Sequence, residues 1–200
     1  MKRFFKFLFL SILILAILLL GAILLFVNRY KAWERDFEQG FVSENLVVFE
    51  DPLNQEIEEK IVRFTLSPES TDSLILTTQE VGELTLVVLQ DYLKDDIQVS
   101  KIYIEPHSGV WDIYAKVNYR KLSLWISVDV NKDNMQTAQL YITDVKVGPF
   151  SIGKVGSTVG RINSGIANSL LTVNENGFSG RYLENIELLE DSLVIKGYRY

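Results

Sequence analysis

The chain has 200 residues, one histidine, no cysteine and a formal net charge of −6. Without cysteine there is no disulfide framework, no thiolate metal site, no thiol nucleophile and no acylated lipoprotein cysteine. Residues 32–200 hold 15 Lys/Arg against 26 Asp/Glu, a net −11, which excludes nucleic acid as a partner and disfavours flat contact with anionic headgroups.

Residues 7–27, FLFLSILILAILLLGAILLFV, carry no charge. At about 1.5 Å of rise per residue, a helix of this length spans about 30 Å, the hydrocarbon thickness of a bilayer. The run exceeds the roughly 7–15 residues of a signal-peptide core, and no small-x-small cleavage site follows it. It reads as an uncleaved, single-span anchor. Lys2, Arg3 and Lys6 precede it, whereas Arg29, Lys31 and Arg35 follow it interleaved with Glu34, Asp36 and Glu38. The short basic start places the N-terminus in the cytoplasm and the rest of the chain outside the cell membrane. The lack of cysteine and of Asn-x-Ser/Thr acceptors favours a bacterial envelope. Tyr30, Trp33 and Phe37 continue one helical stripe, which suits either the headgroup zone or the base of the following domain.

The expected division is a cytoplasmic N-terminus and anchor over 1–31, an acidic juxtamembrane connector over 32–72, and an extracytoplasmic domain over 73–200. Inside the connector, Asp51 and Pro52 suit an N-cap and first helical position, and Leu53, Ile57, Ile61 and Phe64 share one helical face. Alternation over 60–66 allows a strand equally well, and Ser67-Pro68 ends either.

Thr77 and Glu80 form a capping box. The helix they open has Val81, Leu84, Val88 and Tyr92 on one stripe, widened by Leu86, Val87, Leu89 and Leu93. Four strands follow. The first, 97–104, slips phase between Val99 and Ile102. The second, 110–119, puts Trp111, Ile113, Ala115, Val117 and Tyr119 on one face. The third, 122–130, lines up Leu122, Leu124, Ile126, Val128 and Val130, with Trp125 alone on the otherwise polar side. The fourth, 137–147, changes phase near Thr143-Asp144. Clean alternation predicts an antiparallel sheet with one wet face, and the two slips predict bulges that curve it.

A second helix is expected after Gly148-Pro149, with Val155, Val159, Ile162, Ile166 and Leu170 along one side. Gly156, Gly160, Ser164 and Asn168 form a ridge of small residues beside them. Glycine inside a helix costs about 1 kcal/mol relative to alanine, so the ridge calls for close approach to the sheet or room for a ligand. A hairpin over 181–188 and 193–198 closes the chain. The order predicts an α+β fold: an N-terminal transmembrane helix, then a curved antiparallel β-sheet with two helices packed on its apolar face.

Polar chemistry is sparse. His107 sits in a hairpin turn, no G-x-S-x-G occurs, and residues 153–158 (GKVGST) lack the order of a phosphate loop. With dispersed carboxylates as well, no catalytic residue, metal or cofactor is expected, and the chain reads as non-enzymatic. Apolar surface is the abundant feature. Leu86, Val87 and Leu89 of the first helix, Ile113, Leu124 and Ile126 of the sheet, and Gly156, Gly160 and Ile162 of the second helix can line a concave site for a lipid or other hydrophobic ligand. The same residues suit an ordinary filled core. A second expectation is an interaction module that docks an envelope protein partner through an exposed Trp125; the alternative is that the terminal hairpin or the connector covers this ring.

Residues 74–80 (LILTTQE) resemble the apolar-apolar-L-T-x-x-E start of the first helix in several envelope proteins, and 145–150 (VKVGPF) resemble the V-G segment that precedes their second helix. With the order of elements, these strings make residues 60–200 and the anchor similar to the YpmS family of small bacterial membrane-anchored proteins. More distantly they resemble the tubular lipid-binding and AsmA-like group. The resemblance implies an extracytoplasmic role in binding or passing on a lipid and brings no catalytic residues with it.

Overall fold

A computed structural model of the chain describes residues 2–48, 54–93, 96–132, 137–153, 157–176 and 181–199, with side chains at all of these but 2–13, 16, 173, 175 and 176. The chain forms two compact units, Met1–Gly40 and Phe41–Tyr200.

The first unit is a single helix, α1 (Lys2–Gln39). Every large apolar side chain described between Ile14 and Val27 is exposed. The helix continues past the apolar run, and there the expected aromatic stripe forms: the Trp33 ring stacks on Phe37 at 4.7 Å and lies 5.8 Å from Tyr30. Among the described residues no helix is long and apolar enough to cross a membrane. In α1 the described side chains begin at Ile14 and omit Ala16, so the run 7–27 lies only partly among them.

The second unit begins with a 3-10 turn (Ser43–Asn45), strand β1 (Leu46–Val48), helix α2 (Gln55–Leu66), strand β2 (Thr71–Thr77) and helix α3 (Thr78–Tyr92). A meander follows: β3 (Ile97–His107), β4 (Val110–Tyr119), β5 (Leu122–Asn131), β6 (Tyr141–Val147) and the short β7 (Phe150–Ser151). Helix α4 (Thr158–Asn176) and the hairpin β8 (Arg181–Leu188) and β9 (Ser192–Arg199) complete it. The fold is α+β and its strand pairs are antiparallel, as expected. The strands divide into two sheets, one of order β1-β3-β4-β5-β6-β7 and one of order β2-β9-β8.

Helices α3 and α4 share the apolar face of the larger sheet. Leu86 meets Val99, Ile102, Ile104, Trp111, Val130 and Val145 in one buried cluster, and Val159, Ile162 and Ile166 of α4 pack on its flank. A second cluster joins Ile57 and Phe64 of α2 to Leu74 and Leu76 of β2. Both expected phase slips are bulges. The β3–β4 register skips Ser100, and the β5–β6 register skips Thr143.

Four expectations need correcting. Residues 41–72 are not a free connector: β1 pairs with β3, with Leu46 opposite Tyr103, and α2 supplies half of the second cluster. Residues 60–66 are helical; the N-cap is Asn54, whose side chain accepts from the Glu56 N–H at 3.1 Å, while Asp51, Pro52 and Leu53 lie outside the described residues. Gly148-Pro149 leads into a strand instead of a helix. Gly148 takes φ +55°, the chain reverses, and Phe150 pairs with Val147. Finally, α3 does not bury the stripe ending at Val88 and Tyr92; Tyr92 is 84% exposed. The helix turns its smallest residue to β1 instead. A Cβ on Gly82 would lie 2.7 Å from Val47 Cγ2, so Gly82 and Leu86 face inward.

Candidate functional site

The residues expected to line a ligand site divide. Leu86, Leu89, Ile113, Ile126 and Ile162 meet in the core cluster, which they help to fill. Val87 and Leu124 are half-buried outside it. Gly160 is exposed, and a Cβ placed on it meets nothing within 4 Å, so close approach to the sheet does not explain it. Gly156, with Val155, lies outside the described residues. None of the described ones borders either of the two clefts below.

Trp125 is not an exposed anchor; it is fully buried. Phe41 meets its ring edge-on at 5.5 Å and also stacks on Tyr103 at 4.3 Å. The Lys116 ammonium lies 5.4 Å from the indole centre, a cation–π contact. Phe41, the first residue of the domain unit, thus covers the tryptophan that alternation placed on the wet face.

A cleft of about 480 Å³ opens between α4 and β8. Ala167, Leu170 and Leu171 form one wall, Tyr182 and Leu183 the other, and residues 137–139 close a side. Two asparagines set this spacing. The Asn163 amide accepts from the Ile142 N–H at 2.7 Å and donates to the Ile142 carbonyl at 2.9 Å. Three turns later, Asn174 accepts from the Leu183 N–H at 2.9 Å and donates to the Leu183 carbonyl at 3.5 Å. Each amide does for a strand what a neighbouring strand's peptide group would do, so α4 is pinned to β6 at one end and to β8 at the other. The groove lies between the pins. Asparagine is a poor helix former, so two of them on one helix at this spacing were the available signal, and periodicity of apolar residues passed over it.

A second cleft, about 460 Å³, lies between α2 and β2 and is bordered by Lys60, Arg63, Phe64, Asp72 and Ile75. Two of its charges, Lys60 and Asp72, are held by neighbouring groups. Lys60 Nζ lies 2.6 and 2.8 Å from the Glu80 carboxylate, which also accepts from the Thr77 N–H at 2.8 Å in the capping box. Burial pushes Glu80 up, but hydrogen bonds from Lys60 and Thr77 outweigh it and hold the carboxyl below its ordinary value. Asp72 is lowered by the Ser67 hydroxyl and the Ser73 N–H, against a small opposing effect of burial. Arg181 is fully buried behind this cleft. It donates to the carbonyls of Ser67 (2.9 Å), Glu69 (3.0 Å) and Gly197 (3.2 Å) and lies 5.2 Å from the Phe64 ring centre. Ser67 is the C-cap of α2, so the guanidinium sits at the negative end of that helix.

On the outer face of the larger sheet, Glu105, Asp112, Asp129 and Asp144 stand in successive register across β3, β4, β5 and β6. Lys146 bonds both oxygens of Asp129, at 2.9 and 2.7 Å. Burial raises the Asp112 carboxyl above its ordinary value, and the neighbouring Asp129 adds to this. Burial likewise works to lower Lys146, but its bond to Asp129 prevails and raises it. Among the described residues, no three acidic or imidazole side chains converge to hold a metal ion. His107 stands exposed at the end of β3, apart from both clefts.

Fold and clefts define a class: an α+β domain of two antiparallel sheets that follows a long apolar helix and carries an apolar groove beside its last helix. No family model, curated protein or solved structure matches the chain.

Proposed function

We propose that the chain is a membrane-tethered, non-catalytic protein that binds a lipid or other hydrophobic ligand in the groove between α4 and β8, outside the cell membrane. The observation that carries this is the groove itself: a cleft of about 480 Å³ walled by Leu170, Leu171 and Leu183 and held open between the Asn163 and Asn174 pins. Its volume falls within the roughly 300–1,000 Å³ of small-molecule sites. The large apolar side chains described between Ile14 and Val27 are all exposed and support the tether, because a bilayer covers such a surface. Lys2, Arg3 and Lys6 support a cytoplasmic N-terminus. The polar groups support a non-enzymatic role, since Glu80, Arg181 and Asn163 are each bound to backbone. The order α3, meander, α4, hairpin supports the resemblance to the YpmS-like group.

Photolabelling of the full chain in lipid vesicles, with a diazirine-bearing acyl probe and peptide mapping, tests this reading. Label is expected on residues 167–171 and 182–184 as well as on the anchor. Label confined to residues 7–27 would remove the groove from consideration.

A further inference from the structure

If the groove is the ligand site, its lining also selects the head of the ligand. Among the described lining residues there is no lysine, arginine or histidine. The one acidic group there is Glu184, exposed at the rim and without an ion pair. A carboxylate or phosphate brought into this cleft would leave water, meet no cation and face a like charge, which is unfavourable on both counts.

The remaining polar atoms both donate and accept hydrogen bonds. Gln139 spends one of its two amide N–H groups on the Leu140 carbonyl at 2.8 Å and keeps the other as a donor and Oε1 as an acceptor. Thr137 Oγ1 accepts from the Gln139 N–H at 3.3 Å and keeps its own O–H as a donor. Glu184 adds two carboxylate oxygens. The rim thus offers both donors and acceptors, which matches a neutral head that does both, as a hydroxyl does. The apolar walls border one open cleft of about 480 Å³, room for one acyl chain. A two-chain phospholipid would leave its second chain uncovered.

We infer that the groove takes a neutral, single-chain amphiphile with a hydroxyl-bearing head, of the monoacylglycerol kind, and rejects fatty acids and phospholipids. The inference rests on the ligand reading given above, and the test separates the two. The full chain is placed in lipid nanodiscs with its leucine methyls isotopically labelled, and monolauroylglycerol or laurate is titrated in at pH 8. The two probes share a chain and differ in the charge of the head. Shifts of the Leu170, Leu171 and Leu183 methyls are expected with monolauroylglycerol at about tenfold lower concentration than with laurate. Glu184→Lys, at an exposed position, should narrow or invert that ratio. Equal or tighter binding of laurate by the natural chain overturns the preference and leaves a lipid groove standing. If neither probe moves these methyls, the groove is no ligand site and both readings fall.

Discussion

Asp112 shows how a single residue can act against the fold that contains it. It stands between Glu105 and Asp129 in the strand register, with Lys146 engaged by Asp129 and not by Asp112. Like charges directly opposite each other weaken a sheet. Because the folded carboxyl is raised above its unfolded value of 3.8, the folded chain binds this proton more tightly than the unfolded chain does. Its stabilising contribution is therefore present at low pH and is lost as pH rises through the raised folded value. Glu80, Asp72 and Asp144 are lowered and act in the opposite sense, losing their contribution as pH falls through their folded values. Between neutrality and the ordinary carboxylate range, the domain should thus gain stability on mild acidification. Asp112→Asn removes the charge, offers Asp129 an amide N–H and should raise stability at pH 7 by up to about 1 kcal/mol, the scale of a cross-strand pair. Denaturant melts at pH 7 and pH 5 check this: the two pH values should differ less in the variant than in the natural chain, and an unchanged difference would assign the pH response elsewhere. None of this was legible from strand alternation alone. Alternation marks Asp112 and Asp129 as outward-facing, but it takes the register to make them neighbours. Arg181 was hidden for a similar reason: its three carbonyl partners lie on two segments far apart in sequence.

At the level of elements, the patterns that survived are those whose cause is local. The Thr77–Glu80 capping box is complete, because both of its bonds close within four residues. Strands β4 and β5 run where alternation placed them, since a half-buried strand writes its period directly into the sequence. What failed depended on partners. Strand β1 is three residues long and exists through β3, and β2 was legible only as the lead-in to α3. Helix α4 is instructive in both directions. Its apolar side was readable from Val159, Ile162 and Ile166, whereas the small-residue ridge was read as close approach to the sheet or room for a ligand, and at Gly160 it is open. With nothing within 4 Å of a Cβ at Gly165 or Gly160, alanine should be tolerated sterically at both. Gly165→Ala should stabilise the domain by about 0.5–1 kcal/mol through helix propensity alone. The denaturant midpoint should rise with an unchanged slope. A loss of stability would mean that a methyl at Gly165 meets a neighbour and that the position is not open.

For the molecule as a whole, the boundary between tether and domain determines how the protein is built. Composition suggested a free acidic connector to residue 72 and a domain from 73. The chain instead leaves Gly40 alone between the last helical residue of α1 and Phe41, whose ring is already stacked in the domain. The domain unit therefore needs residues that look like linker. Without 41–72 it would lose Phe41 from Trp125, β1 from the edge of β3, and Ile57 and Phe64 from Leu74 and Leu76. Removing a large buried side chain typically destabilises by about 3–5 kcal/mol, and a domain of this size holds only about 5–15 kcal/mol in total. Two truncations decide the matter. A fragment of residues 41–200 should unfold cooperatively and keep Trp125 in an apolar setting, with blue-shifted emission. A fragment of residues 73–200 should not fold, and its fluorescence should report tryptophan in water. If 73–200 folds as stably as 41–200, then β1 and α2 merely decorate the domain, and residues 41–72 regain the role of connector that their composition suggested.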